Sequence, residues 1–405
     1  MRFILYYIIP LNIVFDILLA FFSKGGALPI IRASLMLMIV FVFVIRKPQN
    51  IRNFSFLILF TIYVLINILF SSNMLISASN SLKVLISMLF LIVGYEFFNT
   101  PYRFKILLKS LIASSIILVI NFILSNIFNI GISSYTEDQS FLMGNLGDSW
   151  YLLSYCVLLY PLFNEFLKIS TIKKNIVALI FFILMLLLII SLKRTAILTL
   201  IFGLLIYGFF NLKIKQFLKI SLFIGFVSVV TYPFYAPILE KRFDAREKRF
   251  DDDAIEEEGR YLETLYVWDE IQDFNEPIKQ LFGLEAFYSA GNYAKGRFGE
   301  RNLHVDYNLI VNSIGIVGLL MYFLVFYGIY NLYKTEFKKL KFKKSNKIKT
   351  LKATFYMLFL TQFVTSFGGK MIGISFRLII FVFLGAIISL IGYYASQQNK
   401  KVIKS

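Results

Sequence analysis

The sequence predicts an all-α polytopic membrane protein of about twelve transmembrane helices with one large, partly helical extracytoplasmic loop. Three observations carry this expectation. Of 405 residues, 58% are hydrophobic and only 16% charged, too apolar for a chain that must keep a solvated surface. The apolar residues fall in runs of membrane length, with Lys and Arg concentrated in every second gap between them. And 16 of the 24 acidic residues, with the only histidine, lie in one polar block from Glu240 to His304.

A hydrocarbon core about 30 Å thick is crossed by about 20 residues of helix, because no backbone N–H or C=O can stay unpaired in lipid. Such runs cover residues 3–22, 28–45, 54–70, 82–98, 106–130, 149–167, 175–192, 194–211, 217–239, 305–331, 353–369 and 372–394. The first is too long for a signal peptide and lacks a small-residue cleavage site, so it is expected to remain in the mature protein. The chain therefore divides into nine helices over 1–239, the loop over 240–304, and three further helices with a cytoplasmic tail over 305–405.

Basic residues in short loops are retained in the cytoplasm. With Arg2 inside, the inner positions are Arg46, Lys47 and Arg52; Arg103 and Lys105; Lys168, Lys173 and Lys174; Lys213, Lys215 and Lys219; nine lysines from Lys334 to Lys352; and Lys400, Lys401 and Lys404. The outer positions carry Lys24, Lys83, the acidic stretch with Glu137, Asp138 and Asp148, the Lys193-Arg194 pair, the polar block, and Lys370. Both termini are thus expected inside and the block outside. Removing one span would put the nine-lysine loop outside.

The net charge of +18 does not point to nucleic acid, since the cations occupy short loops and form no stripe with interleaved aromatics. A lone Cys156 inside an apolar run excludes an intrachain disulfide and a thiolate metal cluster, and reads as core. The run Asp251, Asp252, Asp253 resembles a divalent-cation site in composition. Nothing near it supplies nucleotide recognition, so neither a metal nor a cofactor is expected.

Lys193 and Arg194 are out of place by the charge rule, in an outward turn close to the membrane surface. Their partner is either an anion or, with the side chains snorkelling, the lipid headgroups. Arg377 lies one turn into the last span beside Lys370 and would add to an outward cationic pocket; Asp16, Arg32, Glu96 and Glu165 are further charges within apolar runs. Residues 240–259 are dense in both signs and predict a solvated helix or cover. From Arg260 the residues Leu262, Leu265, Tyr266, Trp268 and Ile271 recur at helical spacing, predicting an amphipathic helix against the bundle that Pro277 ends. Arg260 sits at its start, where unpaired N–H groups favour an anion. His304 falls at the outer boundary of the tenth span, a place for an ordinary interfacial residue or for a base.

Three stretches resemble the bacterial polysaccharide polymerase and O-antigen ligase superfamily. Lys193-Arg194-Thr195-Ala196 is similar to its arginine followed by small residues leading a helix. Gly259-Arg260 through Trp268, Pro277 and Leu281-Phe282-Gly283 resembles its "GR, aromatic helix, proline and glycine turn". His304-Val305-Asp306-Tyr307, followed by Ile314-Gly315-Ile316-Val317-Gly318, resembles its histidine motif with a glycine-punctuated helix, except that Val305 replaces the usual polar residue. Gly144 to Ser149 is weakly similar to an asparagine-containing loop, without its proline and second asparagine. Together these pieces cover residues 140–330.

The resemblance implies inverting transfer of a glycan from a polyprenyl-diphosphate carrier to an acceptor hydroxyl on the outer face of the bacterial inner membrane. Its partners would be the lipid-linked donor and acceptor, membrane lipid and a chain-length regulator. Arg194 and Arg260 would pair with the diphosphate, with Lys193, Arg301 and Arg377 in support, and the imidazole of His304 would be the base. A polymerase is favoured over a ligase that delivers glycan to a lipid A core, because the charged block and Phe-rich spans suit a repeat-unit-specific enzyme. A transporter or flippase of lipid-linked solutes would instead show paired charges at mid-membrane and two similar halves.

Overall fold

The computed structural model describes residues 2–21, 28–46, 52–128, 149–190, 193–211, 236, 259–272, 276–291, 293, 302–342, 345–369 and 371–403. These contain fifteen α-helices and no strand. In order they are α1 (Arg2–Tyr6), α2 (Ile8–Phe21), α3 (Leu28–Arg46), α4 (Ser55–Phe70), α5 (Met74–Phe97), α6 (Pro101–Ile127), α7 (Ser149–Leu158), α8 (Tyr160–Phe166), α9 (Thr171–Ile190), α10 (Arg194–Asn211), α11 (Gly259–Gln272), α12 (Pro277–Phe282), α13 (Asp306–Lys338), α14 (Asn346–Gly368) and α15 (Ile374–Ile403). Seven of them, α4, α5, α6, α9, α10, α13 and α15, are long and apolar enough to cross a membrane. The protein is an all-α membrane protein. The expected ninth span, 217–239, lies outside the described residues except for Ala236, as do the charged stretch 240–258 and the aspartate run within it.

Several helices depart from the apolar runs for physical reasons. α5 begins at Met74, eight residues before the expected start, so Lys83 belongs to a helix and not to a loop. The polar residues that interrupt the apolar run are taken up by another part of the chain: Ser77 and Ser81 donate to Glu285 and to the carbonyl of Ala286, and Asn80 donates to the carbonyl of Phe287. α7 and α8 divide the run 149–167 where Pro161, lacking an N–H, interrupts the helical ladder. The nine lysines do not form a simple loop. Lys334 and Lys338 lie in α13, and Lys347, Lys349 and Lys352 lie in α14.

From Leu378 to Ile388 α15 is apolar on all sides and buried, as a helix segment without a polar face must be. It packs on α5 at backbone distance. A Cβ at Gly94 would lie 2.2 Å from the carbonyl oxygen of Val382, and one at Gly385 would lie 2.1 Å from that of Leu91. Between helices in lipid, where no hydrophobic drive separates them from the tails, such small-residue contacts supply the packing. Cys156 is fully buried in α7, as its apolar context predicts.

α13 is broken at Ile314 (φ −130°, ψ 15°) and Gly315 (φ 71°). Carbonyls freed by a break must find donors when water is absent. The Ile314 carbonyl accepts from the Tyr63 hydroxyl at 2.7 Å, and the Asn312 carbonyl accepts from the Leu284 N–H at 3.1 Å. The second donor comes from the turn after α12, in which Gly283 also has positive φ (83°). The two turns are in backbone contact: a Cβ at Gly315 would lie 2.2 Å from the Leu281 oxygen, and one at Gly283 would lie 2.3 Å from the Ser313 carbonyl carbon. The end of the polar block is therefore seated in the gap of a broken membrane helix. Glu285 extends the seat, accepting from the N–H groups of Ser72 (3.1 Å) and Asn73 (3.2 Å) at the start of α5.

Gly315→Ala and Gly283→Ala are each expected to lower stability by at least about 1–2 kcal/mol, the cost of left-handed backbone for an L-residue, before any clash is counted. Thermal unfolding of the detergent-purified variants measures this; unchanged melting would contradict the backbone seat.

Candidate functional site

α11 opens with Gly259 and Arg260 and docks on the start of α13 through two polar contacts. The Thr264 hydroxyl accepts from the Asn308 side-chain amide at 2.8 Å. Glu263 meets His304 twice: its Oε2 accepts from the His304 backbone N–H at 3.0 Å, and its Oε1 lies 3.2 Å from the ring Nδ1. The Glu263 side chain is 0% exposed and that of His304 is 39% exposed. The buried stripe of α11 consequently differs from the expected one. Glu263 and Val267, four residues apart, face inward, whereas Leu265 and Trp268 are exposed. The helix ends at Gln272, and Pro277 is the first residue of α12, where its missing N–H costs nothing.

A two-glycine turn joins this contact to a second part of the sequence. A Cβ at Gly369 would fall 1.4 Å from the His304 carbonyl oxygen, so the turn after α14 lies directly on the histidine backbone. A Cβ at the preceding Gly368 would lie 2.1 Å from the Tyr151 hydroxyl oxygen and 2.9 Å from Thr195 Cβ. The Tyr151 hydroxyl in turn donates to Thr195 Oγ1 at 2.8 Å. Thr195 follows Arg194, the first residue of α10, whose side chain is exposed; Lys193 precedes the helix and is half-buried. His304, the helix begun by Arg260 and the turn of Lys193 and Arg194 thus gather at one end of the bundle. The side chain of Arg260, and both Arg301 and Lys370, lie outside the described residues.

Arg377 has a different setting from the expected open cationic pocket. It is 2% exposed and forms an ion pair with Asp306, itself 1% exposed, while its guanidinium also lies 5.1 Å from the centre of the Phe376 ring. Phe376 stacks on Tyr151 and Tyr155. On the other side of Phe376, Ser375 donates to Asp16 and accepts from Arg32, and Arg32 pairs with Asp16. Consecutive odd positions of a helix point about 200° apart, so the start of α15 separates two ion pairs. Arg377 and Asp306 lie in the first turns of their helices and Arg32 in the second turn of its own. The Arg377–Asp306 pair thus belongs to helix ends, whereas Asp16, the partner of Arg32, lies in the middle of α2.

Glu263 and Asp306 are the participants that sequence reasoning missed. Glu263 is one of 16 acidic residues in a block where any of them could have been a solvated charge. A visible signal existed: it falls one turn after Arg260 and between the apolar positions of an amphipathic helix. Chemically, an imidazole held at Nδ1 by a buried carboxylate has Nε2 left for a substrate, next to helix starts that favour anions. No protein-family model matches the chain, and no curated protein does.

Asp306→Ala is expected to destabilise the protein by about 3–5 kcal/mol, because it strands a buried guanidinium. Adding Arg377→Met should recover part of that loss. Thermal unfolding of the single and double variants decides it, and a double variant no more stable than the single one would count against a paired role for Arg377.

Proposed function

We propose that the protein is a membrane glycosyltransferase that polymerises polyprenyl-diphosphate-linked oligosaccharide repeat units on the outer face of the bacterial inner membrane, without a metal and with inversion. The observation that carries this reading is the contact between His304 and Glu263, which sets the helix led by Arg260 against the one histidine of the chain. The glycine turn that bears on both His304 and Thr195 supports it by bringing the Arg194 turn to the same end. In this reading the chain crosses the membrane twelve times with both termini cytoplasmic, and the site faces outward.

In the reaction, the acceptor hydroxyl attacks the anomeric carbon while Nε2 of His304 takes its proton. The bond from that carbon to the diphosphate oxygen breaks, and polyprenyl diphosphate leaves with the electron pair. Attack opposite the leaving group inverts the configuration. The leaving group gathers charge, which the planar forks of Arg194 and Arg260 match in geometry and sign, with Lys193 and Arg301 adding to the field. Arg377 contributes through Asp306, two residues after the base, by holding the start of α13 in place.

His304→Ala and Arg260→Ala variants that insert normally should reduce surface polymer to single repeat units, with turnover about 10²–10⁴-fold lower for the missing base. Gel profiles of surface glycan read the outcome. Long lipid-linked chains accumulating with no surface-attached glycan would identify a ligase, and unchanged glycan with altered solute uptake a transporter. A topology reporter should be cytoplasmic after Lys344 and external at Asp252; the reverse would overturn the twelve-span arrangement.

A further inference from the structure

We propose that Glu263 is the positioning residue of the base: it fixes the tautomer of His304 with the proton on Nδ1 and the lone pair on Nε2. The inference rests on the reading of His304 as base, and it goes further by assigning the proton and naming the residue that holds it. Its ground is a count of donors and acceptors. An ionised carboxylate has no hydrogen to give. Its Oε2 is engaged by the His304 backbone N–H, which is always a donor. Its Oε1 faces Nδ1 at 3.2 Å, and two acceptors at that separation would repel, so Nδ1 carries the hydrogen.

Burial strengthens the assignment. A carboxylate with 0% exposure is retained only where donors are aimed at it. Here two of those donors belong to one residue, so the carboxylate fixes both the main chain and the ring of His304. Gly369 closes against the carbonyl of the same residue, clamping its backbone from the other side. When Nε2 accepts the acceptor proton, the imidazolium that forms faces Glu263 through Nδ1–H, and its positive charge meets a carboxylate already in place. No reorganisation is needed at that step. Because Glu263 stands one turn after Arg260 on α11, the element that carries the diphosphate arginine also carries the orienter of the base. Docking of α11 then assembles both halves of the site together.

The test uses the fact that the chain contains a single histidine. Full-length protein labelled with ¹⁵N-histidine and placed in lipid nanodiscs gives ring signals from His304 alone. The expected spectrum shows protonated Nδ1 and bare Nε2. Glu263→Gln presents one acceptor and one donor where two acceptors are required, so the tautomer should shift or mix, and polymer formation in cells should fall by about 10²-fold. Glu263→Asp, which keeps the charge, should restore part of both. Binding of polyprenyl diphosphate to the nanodiscs should change by less than about threefold in Glu263→Gln, since the phosphate contacts are kept, whereas Arg194→Ala weakens it.

A wild-type spectrum with the proton on Nε2 overturns the proposal, as does a Glu263→Gln protein with normal polymer, or one whose polymer is lost while the tautomer stays unchanged. The spectrum is read without any glycan chemistry. Retention of polymer in His304→Ala would therefore defeat the proposed function while leaving the tautomer assignment standing.

Discussion

Lipid offers a broken helix no water, and the break in α13 exists only because another segment supplies the hydrogen bonds it lost. Tyr63 serves the Ile314 carbonyl, and the Leu284 N–H serves that of Asn312. The second of these donors belongs to the polar block, so satisfying the break seats the block on the bundle. From that seat Glu285 reaches the start of α5, and Asn80 and Ser81 reach back to the carbonyls of Phe287 and Ala286. The polar block is thus joined to α13 and α5, and to the end of α4 through the Ala286 N–H that donates to the Ser71 hydroxyl at 3.0 Å, and not by an apolar patch alone.

Electrostatics at the same end follow one rule, that a buried charge must be paired. Arg377 pairs with Asp306, Arg32 with Asp16, and Glu263 meets both the backbone N–H and the ring Nδ1 of His304. The first and the last of these fix the start of α13, where a small rotation would otherwise carry a site residue away. α15 sits between the two ion pairs, and its close approach to α5 through Gly94 and Gly385 leaves it little room to turn. This close packing of α15, with the Arg377–Asp306 pair, holds the Asp306 turn and His304 two residues before it.

Much of this was legible in the sequence. The runs behind α3, α4 and α10 begin and end within a residue or two of the helices, because a membrane-length apolar segment has few other ways to satisfy its backbone. The motifs ending in Gly283 and Gly315 were visible separately, yet nothing in either said that they touch. Lys83 was misplaced because Ser77, Asn80 and Ser81 look like a loop until the partner that needs them is known. Arg377 looked like an open cation for the same reason: its carboxylate lies 71 residues away along the chain.

The sequence by itself determined the class of the protein, the location of most helices and the concentration of acid groups and the lone imidazole in one block. These are properties of composition and local period, which do not depend on partners distant in the chain. Only the tertiary structure decided which of those charges are mutually engaged, that α13 is broken and filled, and that Glu263, among many acidic neighbours, is the one that meets His304. Such facts arise from contacts between helices, and a carboxylate's role depends on which donors surround it once water has been excluded.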